Sequence, residues 1–141
     1  MKIAFATKDS IHINAHFGSA SAMDVYELTA DAYTFSETLR FGGNLKEDGN
    51  EDKIDAKLKA LKGCTIVYVA DIGGSAAARL IGKRITPMKS HSENEEIEAI
   101  LGQLMHTLQG SPPPWLRKVL SQEQAPKFDD AYLETEEEVT V

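Results

Sequence analysis

The sequence has little cysteine, no excess of positive charge and no long hydrophobic run, and each shortage excludes a class of protein. Cys64 is the only cysteine among 141 residues. One chain therefore forms no disulfide, no zinc ribbon on four thiolates and no conventional four-thiolate iron–sulfur site. The length is sufficient for one domain that buries a core of its own.

The charge balance and the hydropathy pattern narrow the partners and the location. The chain has 15 lysines and arginines against 22 acidic residues, a net charge of −7. Nucleic acids and anionic membranes both require a basic face, so neither is an expected partner. The first apolar stretch, residues 3–6, is far too short for a signal-peptide core or a membrane span. We therefore expect a soluble cytoplasmic domain.

The negative charge is concentrated near the C-terminus. Residues 123–141 carry seven acids and one base, whereas residues 1–122 carry 15 acids and 14 bases. The C-terminal segment has no helical periodicity, and its composition is typical of disordered chains. We predict one domain over residues 1–122, followed by an acidic, disordered tail over residues 123–141.

Hydrophobic periodicity predicts an α/β domain with the element order β-β-β-α-β-α-β-α. The predicted strands cover residues 2–7, 22–28, 33–41, 64–70 and 84–88. The predicted helices begin after an Asn50 cap, at residue 76, and at a Ser92/Glu95 capping box; a short amphipathic turn follows at 115–120. This order matches the ribonuclease H-like fold, a three-layer domain whose mixed five-stranded sheet carries helices on both faces.

The loop after the first strand contains a candidate ligand. His12, Asn14 and the segment His16-Phe17-Gly18 lie in it, and α/β folds expose functional groups on such loops. Phe17 is expected to anchor the loop, and Gly18 allows close approach of a ligand. His16 is therefore a candidate functional residue, the alternative being a solvated loop histidine, whereas His12 is interpreted as ordinary surface.

A glycine-rich turn and a basic segment form a second candidate site. Gly73-Gly74-Ser75 precedes a predicted helix, whose first N–H groups can hold an anion. The alternative is a turn that needs flexible glycines, and neither a P-loop nor a dinucleotide fingerprint is present. The segment that follows is either a solvated basic face or an electropositive mouth for an anionic ligand. It contains four bases and no acid: Arg79, Lys83, Arg84 and Lys89.

The sequence offers little support for catalysis. It contains no G-x-S-x-G or H-E-x-x-H motif and no Ser-His-Asp order. A ribonuclease H-like nuclease needs metal-binding acids from its first strand onward, and residues 2–7 contain none. Cys64 is typical of a small buried residue, although its place at a strand end leaves partial exposure open. Two alternatives remain: a small hydrolase or transferase using a Cys64/His16 nucleophile–base pair, and an anion-responsive interaction module.

Four segments in order resemble the NifX family of nitrogenase cofactor biosynthesis. They are KIAFATKD, INAHFGSA followed by VYEL, CTIVYVADIGGSAAARLIGKRITPMK, and LQGSPPPWLRKVL. The similarity covers about residues 1–120 and leaves out the acidic tail. The resemblance implies a non-catalytic carrier that binds an iron–sulfur precursor of the iron–molybdenum cofactor, or the finished cofactor. It also implies that the carrier passes this cargo between assembly proteins, a cluster donor and an acceptor scaffold.

The resemblance also implies how the cargo is held. A preassembled cluster brings its own sulfides, so one or two protein ligands are sufficient, and weak ligation suits release. The family pattern maps the leading ligand onto His16, and neutral imidazole is a sound iron ligand. Cys64 is the one thiolate candidate.

Because the cluster is anionic, the resemblance implies a cofactor-binding surface of hydrogen-bond donors and positive charge. This surface comprises the backbone of Gly73, Gly74 and Ser75 and the side chains of Arg79, Lys83 and Arg84. The chain departs from the family pattern at Ser75, where proline is common, and at Thr86, where histidine is common.

Overall fold

The computed structural model describes residues 1–41 and 51–124, which form five strands and four helices. The strands are β1 (Lys2–Ala6), β2 (Ala22–Leu28), β3 (Tyr33–Arg40), β4 (Ile66–Val69) and β5 (Thr86–Lys89). The helices are α1 (Glu51–Ala60), α2 (Gly74–Gly82), α3 (Ile97–Gln109) and α4 (Pro114–Gln124). The predicted element order is confirmed, and α4 is longer than the predicted turn. Residues 123 and 124 of the predicted tail belong to α4, whereas the Asn50 cap and residues 125–141 of that tail lie outside the described residues.

The five strands form one mixed sheet in the order β3-β2-β1-β4-β5. β2 pairs antiparallel with both β1 and β3, whereas β4 pairs parallel with both β1 and β5. A short turn, residues 29–32, joins β2 to β3, and the longer loop 7–21 joins β1 to β2; the connections to the parallel strands β4 and β5 pass through α1 and α2. The predicted α/β class and the mixed five-stranded sheet are therefore confirmed.

Helices cover both faces of the sheet, and a hydrophobic core lies on each face. Successive side chains of β1 point alternately into the one core and the other. Ala4 and Ala6 lie in a core with residues of α1 and α2. Ile3 and Phe5, on the other face of the strand, lie in a core with residues of α3 and α4. The described residues thus form three layers, and none of their helices is long and apolar enough to cross a membrane.

The helix α3 begins at Ile97 rather than at the predicted Ser92. Tertiary pairing overrides the capping box. The Ile13 N–H donates to the Glu95 carbonyl at 2.9 Å, and the Ile97 N–H donates to the Ile11 carbonyl at 2.8 Å. These bonds accompany an extended backbone at Glu96, immediately before the helix, and they place the loop before α3 against the loop after β1.

Candidate functional site

The loops that follow β1, β4 and β5 meet at one edge of the sheet, which we call the carboxyl edge. Because the three strands are parallel, their carboxyl ends lie side by side. In α/β folds this edge is the usual place for ligands. Three of the four histidines of the chain lie in these loops: His12, His16 and His91.

The backbone of His16 is tied to β4 while its side chain is exposed. His16 forms a parallel bridge with Asp71, and the Phe17 N–H donates to the Asp71 carbonyl at 2.9 Å. The Ala70 N–H donates to the Ala15 carbonyl, also at 2.9 Å. Phe17 is fully buried, which confirms that it anchors the loop. The result is an exposed imidazole on a fixed backbone.

The N-terminus of α2 lies at the same edge, since its first residue, Gly74, is three residues after Asp71. Gly73 is its N-cap, with φ −75° and ψ 157°, a conformation that any residue adopts. A Cβ added at Gly73 or Gly74 would meet nothing within 4 Å. Gly73 is therefore required neither by packing nor by an unusual backbone conformation. At this position, the structure does not support the interpretation of the glycine-rich segment as a turn that needs flexible glycines. The first turn carries no acid and no side-chain cap, which leaves its dipole available to an anion.

The bases predicted to form one electropositive mouth are spread over the domain. α2 spans about 13 Å, so Lys83 and Arg84 after its last turn lie far from the glycines at its start. Arg79 forms an ion pair with Asp55 of α1. The structure therefore does not bring Lys83 and Arg84 to the carboxyl edge.

Lys89 is the member of the basic segment that reaches the carboxyl edge. It is the last residue of β5, and its Nζ lies 3.1 Å from Oδ1 of Asp71. The hydrogen bond from Lys89 lowers the pKa of the Asp71 carboxyl, with smaller effects from the Ile72 N–H and from His16. The backbone bridge between His16 and Asp71 brings the loop that carries His16 next to this ion pair.

Arg84 has a structural function at the end of α2. Its φ is 64°, in the left-handed region that favours glycine. The Arg84 N–H donates to the Ile81 carbonyl and the Ile85 N–H to the Leu80 carbonyl, both at 2.9 Å. Leu80 and Ile85 share a core, which completes a Schellman motif. Arg84 therefore closes the helix in a conformation that is unfavourable for its own side chain.

Replacing Arg84 with glycine is expected to stabilise the fold, because the left-handed conformation costs an L-residue about 1 kcal/mol. Thermal unfolding should shift upward by about 2–4 °C. Arg84→Ala removes the same charge but keeps a Cβ, so it should give no comparable gain. If Arg84→Ala stabilises the protein as much as Arg84→Gly, removal of the charge rather than relief of the backbone is the cause.

Cys64 lies at the opposite edge of the sheet from His16. It precedes β4 whereas Asp71 follows it, and an extended chain of seven residues spans roughly 20 Å. Cys64 is 8% exposed, and burial raises the pKa of its thiol to about 11. The two side chains therefore cannot act as a nucleophile–base pair, nor ligate one small cluster together. Thr86 is also at this remote edge, since it pairs with Ile66 at the start of β4.

The described residues contain no ready-made metal centre. Within residues 1–41 and 51–124, no three His, Cys, Asp or Glu side chains come together in a way that could hold a metal ion. Sequence reasoning also missed Lys57 of α1, which is buried behind the His16 loop. Its position among Ile54, Leu58 and Leu61 in the apolar stripe of the helix was the available signal.

Comparison with known proteins identifies the family. The family model described as "Dinitrogenase iron-molybdenum cofactor" matches residues 1–107. Protein NifX of Herbaspirillum seropedicae is 47% identical over 132 residues, which cover 92% of this chain and 90% of the relative. The chain belongs to the NifX family. Protein NifX of Sinorhizobium fredii is 40% identical, over 86% of this chain and 79% of that family member.

A solved structure with low sequence identity has the same fold. The crystal structure of PH0822 matches with a TM-score of 0.58 at 15% identity, over 74% of this chain and 90% of that chain. The family model and the NifX relatives, rather than this structure, confirm the resemblance of the four sequence segments to the NifX family. The region that matches the family model includes His16, the start of α2 and Lys89.

Proposed function

We propose that the protein is a non-catalytic carrier of an iron–sulfur precursor of the nitrogenase iron–molybdenum cofactor, and of the finished cofactor. The carrier would receive the cargo from one assembly protein and pass it to an acceptor scaffold. The observation that carries the proposal is the exposed His16 beside the uncapped N-terminus of α2. Membership of the NifX family supports the same cargo. The cytoplasmic location remains a prediction.

In the proposed binding mode, His16 ligates an iron atom of the cargo through its imidazole. The N–H groups of Gly73, Gly74 and Ser75 face the anionic cluster, and Lys89 of β5 offsets the negative charge of Asp71 at the same edge. Arg79, Lys83, Arg84 and Cys64 are not part of this binding mode, because of their positions in the fold.

This binding mode suits a carrier. A cluster that arrives assembled keeps its bridging sulfides, and so one imidazole and a few hydrogen bonds are enough to hold it. Few protein bonds have to break when an acceptor takes the cargo.

We also assign the domain to the ribonuclease H-like fold, on the strand order β3-β2-β1-β4-β5 and the helices on both faces. That fold brings no chemistry with it, since function depends on the site.

An anaerobic titration of the wild-type protein with isolated precursor cluster tests the proposed function. We expect a brown complex that elutes with the protein in gel filtration and contains one cluster per chain. Elution of the cluster apart from the protein would contradict the carrier function. A parallel series of thermal-shift measurements with phosphate and nucleotides tests the alternative function, an anion-responsive interaction module. If that alternative is correct, these anions should stabilise the protein in the absence of any cluster.

A further inference from the structure

A buried lysine lies behind the loop that carries His16. Lys57 of α1 is 1% exposed, and its Nζ donates to the carbonyl oxygens of Phe17 at 2.8 Å and Gly18 at 2.7 Å. The same nitrogen lies 5.8 Å from the centre of the Phe17 ring and 5.4 Å from that of Phe41. A buried ammonium is costly unless it is hydrogen-bonded, and two of its bonds here go to neighbouring carbonyls of one short segment of backbone.

We infer that Lys57 is a positioning residue for the imidazole of His16. Its two acceptors are the carbonyls of the two residues that directly follow His16. The N–H side of the loop is held separately, since Phe17 donates to Asp71 and Ala20 donates to His16. The loop is therefore fixed from two sides: by the chain at the end of β4, through the Phe17 N–H and the Ala15 carbonyl, and by α1, through the carbonyls of Phe17 and Gly18. This inference rests on the proposed function of His16.

The position requires a long, charged donor. Lys57 extends from the core-facing side of α1, and its stem crosses apolar surroundings before the ammonium reaches the loop. An apolar side chain of equal length would fill the space but leave two inward-facing carbonyls without this donor. Such carbonyls turn toward water when they can, because unpaired buried acceptors are unfavourable. Rotation of these peptide groups would change the direction of the preceding imidazole.

The first test uses the protein without cargo. Lys57→Met should make the amide hydrogens of Phe17 and Ala20 exchange at least about tenfold faster, relative to the global stability of the same variant measured in urea. Leu58→Ala is the matched control, because Leu58 is a neighbouring buried residue of α1 with no polar group to offer the loop. In Leu58→Ala, the exchange rates of these two amide hydrogens should change only as much as the loss of global stability accounts for.

The second test measures binding of the isolated precursor cluster to the folded variants. Lys57→Met should bind about tenfold more weakly than wild type, and Leu58→Ala within about twofold of it. Unchanged exchange in Lys57→Met overturns the inference, and so does an equal loss of affinity in Leu58→Ala. If wild type itself binds no cluster, the proposed function fails, while the exchange experiment still decides whether Lys57 holds the loop.

If Lys57→Met does not fold, Lys57→Gln provides the test. Its side chain is one bond shorter and carries no charge, so it holds the carbonyls of Phe17 and Gly18 less tightly than the ammonium does. We expect exchange at Phe17 and Ala20 to accelerate about threefold relative to the global stability of the variant. Exchange at the wild-type rate in Lys57→Gln would refute the positioning function.

Discussion

Replacing His16 with alanine is expected to weaken binding of the isolated precursor cluster by about 100-fold, equivalent to about 2.8 kcal/mol. The substitution removes the imidazole proposed to ligate the cargo, while the exposed position leaves the core untouched. The measurement is an anaerobic titration followed by absorbance of the cluster. Thermal unfolding of the variant should match that of wild type, since Phe17 still anchors the loop.

Two controls make this result specific. His106 is exposed in the last turn of α3, which begins at the carboxyl edge and runs away from it, so His106→Ala should bind as wild type does. Cys64→Ala should also bind within about twofold, because Cys64 lies at the opposite edge. Equal binding by His16→Ala and wild type would show that the imidazole is not the ligand. A loss in Cys64→Ala as large as that in His16→Ala would contradict the assignment of the site to the carboxyl edge.

Replacing Ser75 with glutamate is expected to change stability and cargo affinity in opposite directions. A carboxylate in the first turn of α2 interacts favourably with the helix dipole and should stabilise the fold by about 0.3–1 kcal/mol. The same carboxylate repels an anionic cluster at the helix start. Affinity should therefore fall about tenfold or more, because like charges about 4 Å apart repel by about 1–4 kcal/mol near a protein surface.

The reversed charge provides the test of this reasoning. Ser75→Lys should destabilise the helix slightly and retain or strengthen cargo binding, and Ser75→Gln serves as the neutral reference. The cargo affinities of the two charged variants should approach that of Ser75→Gln as the salt concentration is raised, because salt screens the charge of the side chain. If both charged variants lose affinity equally, the side chain acts by its size, and the cargo does not meet the dipole of α2.

Most of the fold could be predicted because its determinants are local. The bounds of β2 follow directly from a run rich in β-forming residues, and the order of strands and helices follows from the periodicity of the hydrophobic residues. The start of α3 could not be predicted in this way. Ser92 and Glu95 have the composition of a capping box, but residues 95 and 97 pair with residues 11 and 13, far away in the sequence.

The candidate site was predictable only in part, for the same reason. His16 could be selected because a polar loop after a strand is a known place for ligands. Lys83 and Arg84 are close to the glycines in the sequence, and this closeness predicts one shared site. In the structure, the length of α2 separates the two groups. The contacts of Lys57 could not be predicted, because lysines of a helix usually face water. They become evident only from the direction of its side chain in the structure.

The position of β1 in the centre of the sheet affects how the site is assembled during synthesis. β1 pairs with β2 soon after both have been made, but its other neighbour, β4, begins only at Ile66. The loop that carries His16 obtains its backbone partners from Ala70 and Asp71 and its buried cation from Lys57. A nascent chain that ends before these residues has the imidazole without its orientation. Under the proposed function, we therefore expect a chain to capture the cluster only once its fold is complete, which would keep a costly metal cargo off unfinished chains.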